Sequence, residues 1–335
     1  MKIYCILFDT CPNMPEIEQL IRSKGLHYCD YITNSFTTTS LVSLFTGKTP
    51  SEMNQGGIGY HGTYAHLEDK KEWDSKMLFN NLPEDWQIHL HGDKDNVHFV
   101  PQECGGINRE YKSYIHTPNQ NEKEFLKQMQ ELPSDENHFI FLKYNQFHDA
   151  VAHGTNHHDA VESFMSIINA IDFEEENSLF WLFSDHGIPH YVDALMSPPH
   201  SWLTWVSVTD NITNEPVTKN LIYVLDFFNT VMNRALDNKT TDDVLSPVIK
   251  NKIYVTEDGR ADADEFKCTT VSAICCQDIQ QYTQLAYCRK HKEYPATMRT
   301  ILYNSSTGSG DIIQTNEELL NHIENYPWSW YMKND

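Results

Sequence analysis

The chain has 335 residues, 40% hydrophobic and 12% aromatic, enough to bury a large core in one domain or in one domain plus a smaller one. Asp and Glu outnumber Lys and Arg 47 to 25, a formal charge of −22 that repels nucleic acid and anionic lipid and attracts divalent cations. No groove for nucleic acid is expected, and no apolar run approaches the ~20 residues of a membrane span. The 8 cysteines show no C-x-x-C spacing, and no leader pattern precedes the first strand at Lys2. Both observations predict a cytoplasmic protein with reduced thiols, of undetermined oligomeric state.

In chain order, Lys2–Asp9 is an apolar run that ends in an acid, as a buried strand would. Pro15–Lys24 follows as a helix capped by Gly25, then a strand over Leu26–Thr33. A short helix over Thr39–Phe45 stops at Gly47, and a further helix lies around Ser75–Asn81. The alternation in Trp86–His91 predicts a strand, Asn121–Leu132 a helix with an apolar stripe, and His138–Tyr144 a buried strand. Helix Asp159–Phe173, strands Ser178–Ser184 and Ser201–Val208, and a long amphipathic helix Pro216–Leu236 complete the regular part. Strands alternating with helices predict an α/β fold, a mostly parallel sheet sandwiched by helices. Beyond residue 250 the pattern loosens. We expect a catalytic core over 1–250 and a smaller C-terminal subdomain over 251–335.

Chemistry-bearing residues gather at the ends of these strands, where open α/β sheets bind ligands. Asp9 ends the first strand, and Asp185-His186-Gly187 follows Ser178–Ser184. After His138–Tyr144 come Asn145, His148, Asp149 and His153; Asp149 and His153 are four apart and would share one face of a helical turn. His200 stands in a Pro-stiffened loop just before the next strand. Asp and His together form a hard-to-borderline ligand set for a divalent metal. The hydroxyls of Thr37, Thr38, Thr39 and Ser40 open a helix, where free backbone N–H groups favour an anion and a hydroxyl can serve as a nucleophile.

The order of these pieces resembles the alkaline phosphatase superfamily, which includes sulfatases, nucleotide pyrophosphatase/phosphodiesterases, cofactor-independent phosphoglycerate mutases and phosphopentomutases. Asp9 ends the first strand; Leu44-Phe-Thr-Gly-Lys-Thr-Pro50 matches that family's Leu-x-Thr-Gly-x-x-Pro stretch; Asp149-x-x-x-His153 and Ser184-Asp-His-Gly187 match two further motifs, and His200 a later histidine. Counting back from Leu44 by the family's spacing makes Thr37 the nucleophile, ahead of Thr38 and Thr39. The likeness spans roughly residues 2 to 235. It implies two divalent metals, Zn or Mn: one on Asp9, Asp185, His186 and the Thr37 oxygen, the other on Asp149, His153 and His200, with His190 as runner-up to His200. Lys143, Asn145 and His148 are the expected substrate contacts, and Lys48, His157 and His158 are further candidates. The Cys-x-Pro-Ser-Arg stretch of formylglycine sulfatases is replaced by Thr37-Thr-Thr-Ser-Leu41, and Thr10 stands where a second Asp follows the first strand. The expected activity is metal-dependent hydrolysis of a small phosphate ester, diester or monoester. The alternatives are a sulfate- or phosphonate-ester hydrolase or a phosphotransferase on the same scaffold, or a non-catalytic relative that binds metal.

Overall fold

The computed structural model describes residues 1–34, 37–49, 52, 75–92, 107–115, 117, 121–154, 157–187, 203–236 and 243–246, side chains at 38, 39 and 151–153 excepted, together with the backbone of five strands between 253 and 312. At its centre is β1, Lys2–Phe8, buried along its whole length. A strand with both faces covered reads as a continuous apolar run, which is why Ile-Tyr-Cys-Ile-Leu-Phe shows no polar alternation. The other strands of the main sheet are β2 (Cys29–Ile32), β3 (Trp86–Gly92), β4 (Tyr111–Ile115), β5 (Asn137–Tyr144), β6 (Ser178–Phe183), β7 (Leu203–Asp210) and β8 (Leu221–Tyr223). Their order is β4-β3-β5-β1-β6-β7-β2-β8.

Every neighbouring pair is parallel except the two that β7 makes with β6 and β2. Because β7 runs against the rest, the edge that collects the carboxyl ends of β1, β5, β6 and β2 also receives the start of β7. The register shows this directly: Phe8 pairs with Tyr144, Leu7 with Phe183, and Ile32 with Leu203. Five segments of distant sequence therefore reach one edge.

Helices cover both faces. They are α1 (Pro15–Ser23), α2 (Thr37–Thr46), α3 (Leu78–Asn81), α4 (Glu122–Gln130), α5 (Gln146–His153), α6 (His157–Ala170) and α7 (Asp226–Leu236). The period-2 alternation of β1 divides its side chains between two cores. Ile3, Cys5 and Leu7 pack with Leu41, Val42 and Phe45 of α2, Phe79 of α3 and Phe227 of α7. Tyr4, Ile6 and Phe8 pack with Ile17 and Ile21 of α1, Phe125 of α4 and Phe164 of α6. Gly25 takes φ +74 to close α1, as its sequence position predicts. At Gly47 (φ +64) a Cβ would sit 3.0 Å from the Phe228 ring, so α2 and α7 approach closely there.

The long helix expected over Pro216–Leu236 is corrected by the structure. Its first part forms β8, and only Asp226–Leu236 is helical. Val224 N donates to Ile32 O (2.9 Å), and the Asp226 carboxylate accepts from Tyr223 N (3.2 Å) and Lys219 Nζ (3.3 Å). Pairing with β2 has overridden a helical apolar spacing. The expected strand Ser201–Val208 begins at Leu203 among the described residues and runs on to Asp210.

The C-terminal part is more regular than its sequence implies. Strands β9 (Ile253–Asp262), β10 (Phe266–Cys276), β11 (Gln281–Lys290), β12 (Thr297–Asn304) and β13 (Ser309–Ile312) form an antiparallel meander, each paired with the next. Among the described residues, no helix is long and apolar enough to cross a membrane.

Candidate functional site

Three buried ligating residues meet at the shared edge. One carboxylate oxygen each from Asp9 and Asp185 and a ring nitrogen of His186 all lie within 4.8 Å of one another. Asp9 is delivered by β1, whose ladder extends through Asp9 N donating to Tyr144 O (2.9 Å). Asp185 and His186 come from β6, in a turn held by Ser184 Oγ donating to His186 O (2.8 Å) and Thr204 Oγ1 to Ser184 O (3.0 Å). The β2–α2 connection docks onto the same turn. Thr33 Oγ1 and Ser40 Oγ donate to the Asp185 carbonyl at 2.8 and 2.7 Å, and Asn34 Nδ2 donates to Ser43 Oγ (2.9 Å).

That docking brings Thr37, the first residue of α2, to the site: its Oγ1 is 3.2 Å from His186 Nε2. The other ring nitrogen, Nδ1, lies 2.7 Å from the Gly187 carbonyl. A carbonyl only accepts, so Nδ1 carries a proton; in the neutral ring the lone pair is then on Nε2, the nitrogen that faces the site. The same Nε2 is 3.5 Å from Asp185 Oδ2 and 4.0 Å from Asp9 Oδ1.

A lysine and a histidine adjoin Asp9. Lys143 Nζ, at the end of β5, is 2.8 Å from Asp9 Oδ2, and His148 Nδ1, on α5, is 3.5 Å from Asp9 Oδ1. Burial alone would raise the Asp9 carboxyl, but Lys143, the His148 hydrogen bond and His186 hold it well below the usual carboxylate range. Asp185 is pushed the other way, by burial and by the charge of Asp9. His148 is raised, chiefly by its hydrogen bond to Asp9, against the opposing effect of burial. Two adjacent carboxyls driven apart in this way are more common at functional sites than in plain cores.

The donor set fits a divalent cation. Asp185 Oδ2 is fully buried with no hydrogen bond of good geometry, an arrangement costly for a carboxylate unless a cation meets it. Asp9, Asp185, His186 and the Thr37 hydroxyl offer carboxylate, imidazole and hydroxyl ligands without thiolate, a set suited to a divalent metal.

Of the residues expected from sequence, Asp9, Thr37, Lys143, His148, Asp185 and His186 come together here. Asp149 is half-buried on the same helix as His148 and lies outside the three-ligand group, while Asn145 immediately precedes that helix. The His153 side chain, His190 and His200 lie outside the described residues. His157 packs elsewhere, its Nε2 3.2 Å from Met14 Sδ, and the His158 and Lys48 side chains are exposed. Ser40, one of the hydroxyls expected to open the helix, binds the turn backbone instead of facing the three ligands. Thr10 and Thr33 were not anticipated as contacts; both are hydroxyl residues just past strand ends, and such residues satisfy local backbone too often for sequence alone to single them out.

No family model matches the chain, and no curated protein is similar enough to match it. Solved structures do share its architecture. A protein in the alkaline phosphatase superfamily from Vibrio parahaemolyticus superposes with a TM-score of 0.59 at 9% identity, over 98% of this chain and 88% of that one. BT1596, a 2-O GAG sulfatase, gives 0.60 at 9% identity, over 96% and 89% of the two chains. Ps i-CgsB in complex with a neocarrahexaose gives 0.56 at 12% identity, over 98% and 92%. The chain has the alkaline phosphatase-like fold: a mostly parallel eight-stranded mixed sheet flanked by helices.

Proposed function

We propose that the protein is a metal-dependent enzyme acting on a small tetrahedral oxyanion ester, with hydrolysis of a phosphate ester as the leading activity. The observation that carries this reading is the 3.2 Å approach of Thr37 Oγ1 to His186 Nε2, beside two buried carboxylates. Asp9, Asp185 and His186 would hold one divalent cation together with the Thr37 oxygen. By the family resemblance, Asp149, His153 and His200 would hold a second cation. When bound, such cations supply positive charge at the ester's oxygens and lower the pKa of a nearby hydroxyl.

The chain's own groups account for the rest. Thr37 stands where the first N–H groups of α2 lack partners within the helix, so an oxyanion is drawn to its hydroxyl. The Thr37 oxygen attacks phosphorus, the ester bond to the leaving alcohol breaks, and a phosphoryl group is left on Thr37 until water releases it. Lys143 and His148 place charge beside Asp9 and orient the remaining oxygens, with Asn145 at the same strand end. The described ones among these residues lie on the eight-stranded sheet and its helices or directly beside their ends, which supports a catalytic core over 1–250 with a smaller domain over 251–335.

A second reading has its own observation. Lys143 supplies a cation next to Asp9, and His148, whose pKa is raised by its hydrogen bond to Asp9, a second basic group, which suits a sulfate or phosphonate ester, or transfer to an acceptor other than water, with fewer metals. Aryl phosphate monoester, phosphodiester and sulfate, each assayed with Zn2+ or Mn2+, separate the two. The leading reading predicts phosphate ester turnover that Thr37→Ala reduces by roughly 10^3-fold or more with metal content retained. Sulfate turnover alone would establish the second. Thr37→Ala with near-normal activity would remove the nucleophile from either.

A further inference from the structure

The second residue after β1 is strained. Thr10 takes φ +58, in the left-handed region where a β-branched residue is rarely found, and it is almost completely buried. Its neighbours explain why the conformation is kept. Cys11 N donates back to Phe8 O (3.1 Å), so the chain reverses within three residues and turns the Thr10 N–H into the site. That N–H donates to Asp185 Oδ1 (3.1 Å), while the Thr10 hydroxyl donates to Asp9 Oδ1 (2.8 Å). His148 Nδ1 is 3.4 Å from the same hydroxyl oxygen. One residue thus touches both buried carboxylates and the adjoining histidine.

We propose that Thr10 is a positioning residue for a divalent cation: its left-handed backbone and its hydroxyl together select which carboxylate oxygens are presented. The division of labour is visible atom by atom. The backbone N–H occupies Asp185 Oδ1, which leaves Oδ2, the buried oxygen without a hydrogen bond, on the side of His186 Nε2. The hydroxyl fixes the rotation of the Asp9 carboxylate, whose second oxygen is taken by Lys143. Neither hydrogen bond contributes a ligand; each removes a wrong orientation. Residues that orient metal ligands through hydrogen bonds typically change affinity by about 10- to 100-fold when removed.

This inference rests on the metal reading proposed above, and the test separates the two. Mn2+ and, independently, Zn2+ are titrated calorimetrically into metal-stripped wild type, Thr10→Gly and Thr10→Ser, and the thermal midpoint of each stripped protein is recorded. Glycine relieves the left-handed strain and deletes the hydroxyl, whereas serine keeps the hydroxyl. The expected result is that Thr10→Gly melts no lower than wild type yet binds the ion about 10-fold or more weakly, with affinity recovered in Thr10→Ser. A merely structural role would move melting and affinity together and would not be rescued by serine. Thr10→Gly binding as tightly as wild type, or Thr10→Ser binding as weakly as Thr10→Gly, overturns the positioning role while the metal reading stands. Wild type binding neither ion overturns both.

Discussion

At the level of single residues, the paired buried carboxylates cost the fold stability. Asp185 lies against Asp9 in a fully buried position, and both burial and that neighbouring charge raise its carboxyl. An ionised Asp185 is therefore unfavourable until a cation arrives. Asp185→Asn keeps the shape and removes the charge, so it should raise the melting temperature of the metal-stripped protein. The same change should abolish the increase in melting temperature that Mn2+ gives wild type, since an ion stabilises the folded state only when its concentration exceeds its dissociation constant. Melting curves with and without Mn2+ check both halves; an Asp185→Asn protein still stabilised by the ion as much as wild type would contradict the ligand assignment. The geometry also separates neighbours that look alike in sequence. Asp149 and His148 are adjacent acid and base after the same strand, yet it is His148 whose ring reaches Asp9. Spacing identifies the turn of helix that carries the chemistry, while the side chain facing the site depends on how α5 leaves β5.

At the scale of elements, the strands that meet at the site were legible because burial on both faces demands uninterrupted apolar runs: β1, β5 and β6 contain little else. Less was legible where tertiary pairing decides. The spacing of Val217, Leu221, Val224 and Phe228 fits a helix, and only the pairing of β8 with β2 makes part of it a strand. Strand β4 is polar and exposed for most of its length, so it carries no periodic signal at all. A second consequence of strand pairing concerns pH. His89 on β3 and His138 on β5 are buried side by side, His89 Nε2 3.3 Å from His138 Nδ1, with Tyr114 OH 3.2 Å from the other His89 nitrogen. Burial, then the neighbouring His138 and Lys112, lowers His89 to about 4; burial also lowers His138, against the pull of Glu136. Both groups thus bind protons more readily in the unfolded chain, so stability rises with pH across their titration. The contribution is complete above the unfolded value of ~6.5 and is lost as pH falls from there toward about 4. The loss should be on the order of 2 kcal/mol. Urea unfolding between pH 7.5 and 4.5 checks this, and a His89→Leu/His138→Leu protein should show a flatter profile. An equally steep profile in that variant would place the acid sensitivity elsewhere.

At the scale of the whole molecule, the sheet separates function from anchorage. The reversed direction of β7 sends its start to the edge that carries the site and its end, Asp210, to the opposite edge. There Arg234 of α7 bridges Asp210 and Asp243 at 2.6 Å each, with its side chain nearly buried. Asn233 adds a bond to Asp243 (3.1 Å), and Lys219 Nζ donates to the Asp243 carbonyl (2.7 Å). Removing the guanidinium strands two carboxylates, which for buried pairs costs roughly 3–5 kcal/mol. Arg234→Ala should therefore lower unfolding free energy by about that amount, with cation affinity at the far edge unchanged. A large loss of cation affinity in a folded Arg234→Ala protein would show that the two edges are coupled.

Whether the cluster of Asp9, Thr37, Asp185 and His186 works as a metal-dependent ester-cleaving centre is decided by a single titration. The purified protein is stripped with a strong chelator, then Zn2+ or Mn2+ is returned stepwise while turnover of an aryl phosphate ester and bound metal are followed together. The expected result is no turnover in the stripped protein and recovery in proportion to bound metal, with Thr37→Ala taking up metal but remaining inactive. Full turnover in the presence of the chelator, with no metal found by elemental analysis, would contradict it.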